Sequence, residues 1–145
     1  MTKKILVAYD GSDLSKQAVQ EAKKQACDAP EKEIHVISVV NTTGPVTNAT
    51  MAEAVGKELA ERFETEMEAL KTELETDDSI TVKTEIKVGE AEGNPGEKIC
   101  AYAEEHDVDL IVLGSRGLGG VRKFLLGSVS NNVVQKATKP VLIIK

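Results

Sequence analysis

The chain has 145 residues, a formal net charge of −6, and 41% apolar against 29% charged residues, which suits one globular domain with room for a core. No apolar run approaches the length of a membrane span, and Ile5 to Tyr9 is too short for a signal peptide, with no small-residue cleavage site after it. The expectation is therefore a single soluble domain over residues 1–145 that stays in the cytoplasm; the absence of Trp, 3% aromatics and the negative charge argue against nucleic-acid binding.

Lys4 to Tyr9 reads as a buried strand, because Ile5-Leu6-Val7-Ala8 is a continuous apolar run. Asp10-Gly11-Ser12 breaks it, and Ser12 or Asp13 can cap a helix with Leu14, Ala18, Ala22 and Ala26 on one face. Ala29-Pro30 ends that helix, and Glu33 to Val40 gives a second strand. Asn41 to Thr50 is a loop of small and turn-forming residues. A long helix follows from about Met51 to Glu75, with Val55, Leu59, Phe63, Met67, Leu70 and Leu74 as its apolar stripe. Ser79 to Val88 alternates, with Ile80, Val82, Thr84, Ile86 and Val88 on one side, as in a strand covered on one face. Gly89 to Gly93 turns the chain. Asn94 then caps a helix that has Pro95 in its first turn, Glu97 in a capping-box position, and an end near His106. Val108 to Leu113 is the next strand. Asn131 to Lys136 lies in a last helix entered through Gly127-Ser128, and Pro140 to Ile144 is a final strand.

Strict alternation of strand and full-length helix demands crossover connections. The expected fold is therefore α/β: a doubly wound three-layer sandwich around a mainly parallel sheet. Cys27 and Cys100 read as reduced, partly buried thiols, and no Cys/His spacing suggests a zinc site.

In such folds the ligand lies past the carboxyl ends of the strands. One of those ends is unusual here. Gly114 to Gly127 holds five glycines in fourteen positions, and residues 114–145 carry six bases and no acid. Residues 51–78, by contrast, carry ten acids and three bases. Glycine lets backbone N–H groups approach an anion, and Gly127-Ser128 delivers a helix N-terminus whose unpaired N–H groups favour phosphate. Ser128 and Ser130 add hydroxyls. There is no Gly-Lys-Ser/Thr for a P-loop, and Gly117-Leu118-Gly119 is followed by Arg122 where a dinucleotide fingerprint needs glycine. What remains is Gly114-x-x-Gly117, nine residues, then Gly127-Ser128.

That spacing resembles the ATP-binding motif of the universal stress protein family. The opening Lys4 to Ser12, the segment Asp109 to Gly117 and the closing Lys139 to Ile144 also resemble that family's first strand and turn, fourth strand and loop, and last strand. The resemblance implies a five-stranded parallel, Rossmann-like sheet of the adenine nucleotide alpha hydrolase type, bound ATP with Mg or Mn carried on its phosphates, and a homodimer through Val141 to Ile144. Residue by residue, it puts Ala8 and Asp10 along the nucleotide, with Asp10 near the adenosine or a phosphate-bound metal ion, and Val39 against the adenine. Gly114, Ser115 and Gly117, with Gly127, Ser128, Val129 and Ser130, match ribose- and phosphate-binding positions; Arg116 stands at a variable position and implies only a charge contact. Read from the residues alone, Asp10 can also be no more than a helix cap, and Val39 simple core.

No catalytic constellation accompanies the loop, and Asp10 is the sole acid expected beside the phosphates, enough for slow hydrolysis at most. The expected function is a nucleotide-dependent stress sensor or switch. The alternative is a dimeric interaction module of the same fold that binds no nucleotide. An adenylating enzyme would need further charged residues near the loop and usually an added domain.

Overall fold

A computed structural model describes residues 2–26, 29–41, 49–89, 95–115 and 128–145 of the chain. The elements are β1 (Thr2–Ala8), α1 (Asp13–Gln25), β2 (Glu31–Asn41), α2 (Ala49–Leu74), β3 (Ile80–Gly89), α3 (Pro95–Glu105), β4 (Leu110–Gly114), α4 (Ser128–Lys136) and β5 (Val141–Ile144). They form one five-stranded sheet in the order β3-β2-β1-β4-β5, and every pairing is parallel. The doubly wound α/β sandwich is thus the fold.

The period of two along β1 divides the core. Ile5, Val7 and Tyr9 join a cluster with Ala18, Val19 and Ala22 of α1 and Met67 and Leu74 of α2. Leu6, one residue out of step, joins Ile37, Ile99, Ala103, Ile111 and Val133 on the opposite side. So α1 and α2 cover one face, and α3 and α4 cover the other. The chain walks from β1 to β3 in one direction, then crosses back to lay β4 on the other flank of β1. That reversal forces the change of face, since crossovers between parallel strands keep one hand.

The caps follow local chemistry. Ser12, rather than Asp13, caps α1: its Oγ accepts the Ser15 N–H at 3.2 Å. The buried face of α1 is Ser15, Ala18, Val19 and Ala22, which turns Leu14 to a half-buried flank. Pro95 is the first residue of α3, where its missing N–H leaves no gap in the ladder; the Asn94 cap, and residues 90–93 of the expected turn, lie outside the described residues. Of the expected stripe on α2, Met67 and Leu74 are buried and Leu70 packs against them, whereas the side chains of Val55, Leu59 and Phe63 are outside the described set.

Several boundaries differ from expectation: β1 runs from Thr2 to Ala8 and not from Lys4 to Tyr9, and α2 begins at Ala49, before Met51. β2 is longer, running from Glu31 to Asn41. β4 begins at Leu110, later than Val108. After α3, Asp107 takes a left-handed backbone (φ 49°), a conformation that Asp tolerates better than most residues. The chain therefore reverses before it can pair. Val108 becomes a fully buried plug, and Asp109 locks the entry by exchanging hydrogen bonds with Lys4: its N–H donates to Lys4 O at 2.8 Å and its Oδ2 accepts the Lys4 N–H at 2.9 Å.

Candidate functional site

The order β3-β2-β1-β4-β5 places the reversal of direction between β1 and β4. The helices that follow the two strands, α1 and α4, lie on opposite faces, the arrangement in which open α/β sheets form a crevice past their carboxyl ends. The described segments at that point are Ala8 to Ser12 and Gly114 to Ser115.

Tyr9 sets the facing of the first segment. Its N–H donates to Ile37 O at 2.8 Å, and its carbonyl accepts the Ser38 hydroxyl at 2.6 Å, so its backbone is clamped to β2. Its ring joins the α1/α2 face, where the hydroxyl donates to Glu66 Oε2 at 3.1 Å. Burial, reinforced by Glu66, pushes this phenol up to about 12, so it stays protonated. Alternation then turns Ala8 to the α3/α4 face. Ala8, Val39 and Val129 are all partly buried and pack against the same cluster there. Three of the apolar residues expected at the site thus share one side of the sheet.

Asp10 is neither in the core nor the helix cap. Its Oδ1 accepts the Ser12 N–H at 2.9 Å across Gly11, which adopts a positive φ of 83° that only glycine takes without strain. The turn holds the carboxylate just outside the end of β1. Among the described residues no group of three or more His, Cys, Asp or Glu side chains gathers to hold a metal ion. A metal at this position would have to draw most of its ligands from elsewhere, for which phosphate oxygens are suited.

The second segment closes on itself. Gly114 ends β4, and the N–H of Ser115 donates to Ile144 O at 2.8 Å, which extends the pairing with β5. The carbonyl of Ser115 accepts the hydroxyl of Ser130 at 3.0 Å; both residues are buried. One side-chain bond therefore joins the end of β4 to the first turn of α4 and brings Gly114 and Ser115 beside Ser128 to Ser130. Arg116, Gly117 and Gly127, with the remainder of the glycine-rich loop, lie outside the described residues.

The charge argument changes in three dimensions. The sequence from 114 to 145 lacks carboxylates, yet two of its bases meet acids from α3 and its end: Lys136 Nζ lies 2.5 Å from Glu97 Oε1, and Lys139 Nζ lies 2.5 Å from Asp107 Oδ1. These pairs are exposed and contribute little stability, but they use up part of the positive charge that the sequence appeared to hold in reserve.

One polar cluster was not expected. His35 is completely buried on β2, and its Nδ1 sits 2.6 Å from the Tyr102 hydroxyl while its Nε2 sits 2.5 Å from Glu33 Oε1. A carboxylate can only accept, so Nε2 carries the proton and Tyr102 donates to Nδ1. Tyr102 also stacks on His106, with ring centroids 3.9 Å apart. Burial holds His35 below its ordinary value, against the opposing pull of Glu33. Burial works against ionisation of Glu33 too, but hydrogen bonds from His35 and Lys83 outweigh it and keep that carboxyl below the usual range. The signal in the sequence was Glu33 and His35 at alternate positions of a strand whose core is mostly apolar, since buried polar groups require partners.

The universal stress protein family's sequence profile matches residues 1–145. The chain belongs to the universal stress protein family. It is 35% identical over 150 residues to the universal stress protein YxiE of Bacillus subtilis, covering 100% of both chains. The solved structure of MJ0577, a universal stress protein of Methanocaldococcus jannaschii, superposes with a TM-score of 0.86 at 34% identity and covers 99% of this chain and 95% of that one. A universal stress protein of Archaeoglobus fulgidus solved in complex with dAMP shares the fold, with a TM-score of 0.65 at 22% identity over 100% of this chain and 98% of that one. No helix among the described residues of this universal stress protein is long and apolar enough to cross a membrane.

Proposed function

We propose that this chain is an ATP-binding universal stress protein of the cytoplasm, a single domain whose nucleotide state is the signal and whose hydrolysis, if present, is slow. The observation that carries the reading is the Ser130–Ser115 hydrogen bond, which joins the two halves of the glycine/serine motif at the crevice between β1 and β4. In this reading Val39 and Ala8 receive the adenosine end. Gly114, Ser115, Gly117, Gly127, Ser128 and Val129 receive the ribose and phosphates, the last four of them through backbone N–H groups of the loop and the start of α4. Ser130 holds the two halves together, and Arg116 supplies a charge contact. Asp10 is the one protein carboxylate offered to Mg or Mn carried on the phosphates. That the same fold holds dAMP in the Archaeoglobus fulgidus protein supports an adenine nucleotide as the ligand class.

Denaturing the purified protein should release adenine nucleotide, or titration with ATP and magnesium should give binding heat. Gly117→Val should abolish that binding while the circular dichroism spectrum is unchanged, because a branched side chain denies the loop its close approach to phosphate. Wild-type protein with neither nucleotide nor ATP-dependent heat would point instead to an interaction module of the same fold.

We also propose that β5 pairs with its copy in a second subunit. β5 is a sheet edge, and all four of its residues are only half-buried; an uncovered apolar edge invites association. Light scattering at micromolar concentration should give the mass of a dimer, and Leu142→Lys should shift it toward the monomer. A monomeric wild-type mass removes the proposal.

A further inference from the structure

The N-terminal parts of α3 and α4 meet at a contact that leaves no room for a side chain at Gly96. A Cβ added to Gly96 would lie 2.8 Å from Asn132 Oδ1, 2.9 Å from Asn132 Cβ and 3.0 Å from the carbonyl oxygen of Val129. Two further observations mark this contact as unusual. Gly96 is not a positive-φ glycine: among the described glycines only Gly11 has that backbone. Helix propensity would favour alanine in its place, so what demands glycine at 96 is the approach of α4. Asn132 Oδ1, on the other side of the contact, is buried and accepts no hydrogen bond from the described residues. Such an acceptor is normally paired. The sequence thus keeps a helix-weakening glycine against an amide oxygen that has no partner among the described residues.

What they do serve is placement. Val129 and Asn132 belong to the opening of α4, whose other restraint is the Ser130 hydroxyl on Ser115 O at 3.0 Å. Ser130 ties the helix start to the end of β4. Gly96 determines how near that same turn comes to α3. We propose that Gly96 and Asn132 are positioning residues that set where the N-terminus of α4 presents its N–H groups to the phosphates. The proposal rests on the nucleotide reading above and adds to it the device that fixes the phosphate end of the site. A shift of a few tenths of an ångström at this contact moves the donors of the first turn, and charge-assisted hydrogen bonds weaken steeply with geometry. The adenosine end, on Ala8 and Val39, lies on other elements and is left in place.

The test is a double-mutant cycle read by calorimetry with two probes, ATP with magnesium and adenosine. Gly96→Ala puts a methyl into the contact, and Asn132→Gly opens a gap in it. Each single variant should lower the ratio of ATP to adenosine affinity by about tenfold, roughly the worth of one hydrogen bond to a charged group. Gly96→Ala with Asn132→Gly, which moves the Cβ from one helix to the other, should restore most of the ratio. A merely structural contact would lower thermal stability in the single variants and leave the ratio alone. An unchanged ratio in a folded single variant therefore overturns the proposal while the nucleotide reading stands. If Gly96→Ala does not fold, Asn132→Gly alone decides in the same way. Wild-type protein that binds neither probe overturns both.

Discussion

Replacing His35 with leucine should lower the unfolding free energy by about 2–3 kcal/mol at pH 7.5, and should also remove one step from its pH dependence. The size follows from the two hydrogen bonds lost, one of them to an ionised carboxylate. Leucine fills much of the ring's volume, so little of the loss is cavity. The pH dependence follows from the neutral state of the buried ring. His35 titrates below its ordinary value of 6.5 when folded and close to 6.5 when unfolded. Below about pH 6.5 the unfolded chain binds a proton that the folded chain refuses, so wild-type stability falls as the solution is acidified toward the lowered folded value. Glu33 adds a second loss in the same direction further down: its folded value lies below 4.5, and its contribution disappears as pH falls past 4.5. Urea unfolding from pH 7.5 to 4 should show the first step in wild type and not in His35→Leu. A wild-type curve that is flat between pH 7.5 and 5.5 would mean that the folded ring binds protons as readily as the unfolded one, and a rise in stability on acidification would mean that the ring is charged in the folded protein.

Leu6→Ala should be the most damaging of the conservative core truncations, at about 3–4 kcal/mol. Leu6 is completely buried in the central strand, paired in register with His35 on one side and Ile111 on the other. Neighbours hydrogen-bonded on both flanks cannot collapse into the space, so the cavity stays open. Against a typical total of about 5–15 kcal/mol, the loss is a large fraction. It also bears on the crevice, because Leu6 and Ala8 lie on the same face of β1 and share one cluster. Val134→Ala is the natural control: that side chain is 45% exposed on α4 and should change stability by less than about 0.5 kcal/mol. Denaturant midpoints at constant m-value check both.

The parts of the fold that were legible in the sequence are those decided by a single segment's own pattern. The apolar run at Ile5 to Val7, the alternation through Ile80 and Val82, and the Gly127-Ser128 entry to a helix each state their element without reference to the rest. Alternation of those elements then fixes a parallel sheet. The start of β4 was misjudged because Val108 is apolar and buried, while the left-handed turn at Asp107 that delays pairing leaves no hydrophobic trace. The apparent reserve of positive charge from 114 to 145 dissolved at Lys136 and Lys139, whose partners, Glu97 and Asp107, lie more than thirty residues earlier. Partnership over that distance is a property of packing and cannot be read along the chain. The same holds for His35 with Tyr102, and for Gly96, which looked like an ordinary first-turn residue until α4 lay against it. At the candidate site, Ala8, Val39 and Val129 were nameable through a family resemblance. Their shared face follows from the strand period and the change of face at β3.

The crossing from β3 back to β4 also determines when the crevice can exist. The central strand β1 is made before β2 and β3, which can pair on one side of it as soon as they leave the ribosome. Its other edge waits for Asp109 and Leu110; the bond from Lys4 N–H to Asp109 spans 105 residues. Contacts of that range close slowly. Until β4 is made the nascent chain therefore carries a half-sheet with an open apolar edge at what will become its middle, the surface most apt to join the wrong neighbour. β4 alone covers that edge, and its carboxyl end supplies one side of the crevice. A polypeptide interrupted before β4 would thus lack one wall of that crevice and be prone to stick, so covering the edge of β1 and forming the crevice are a single event.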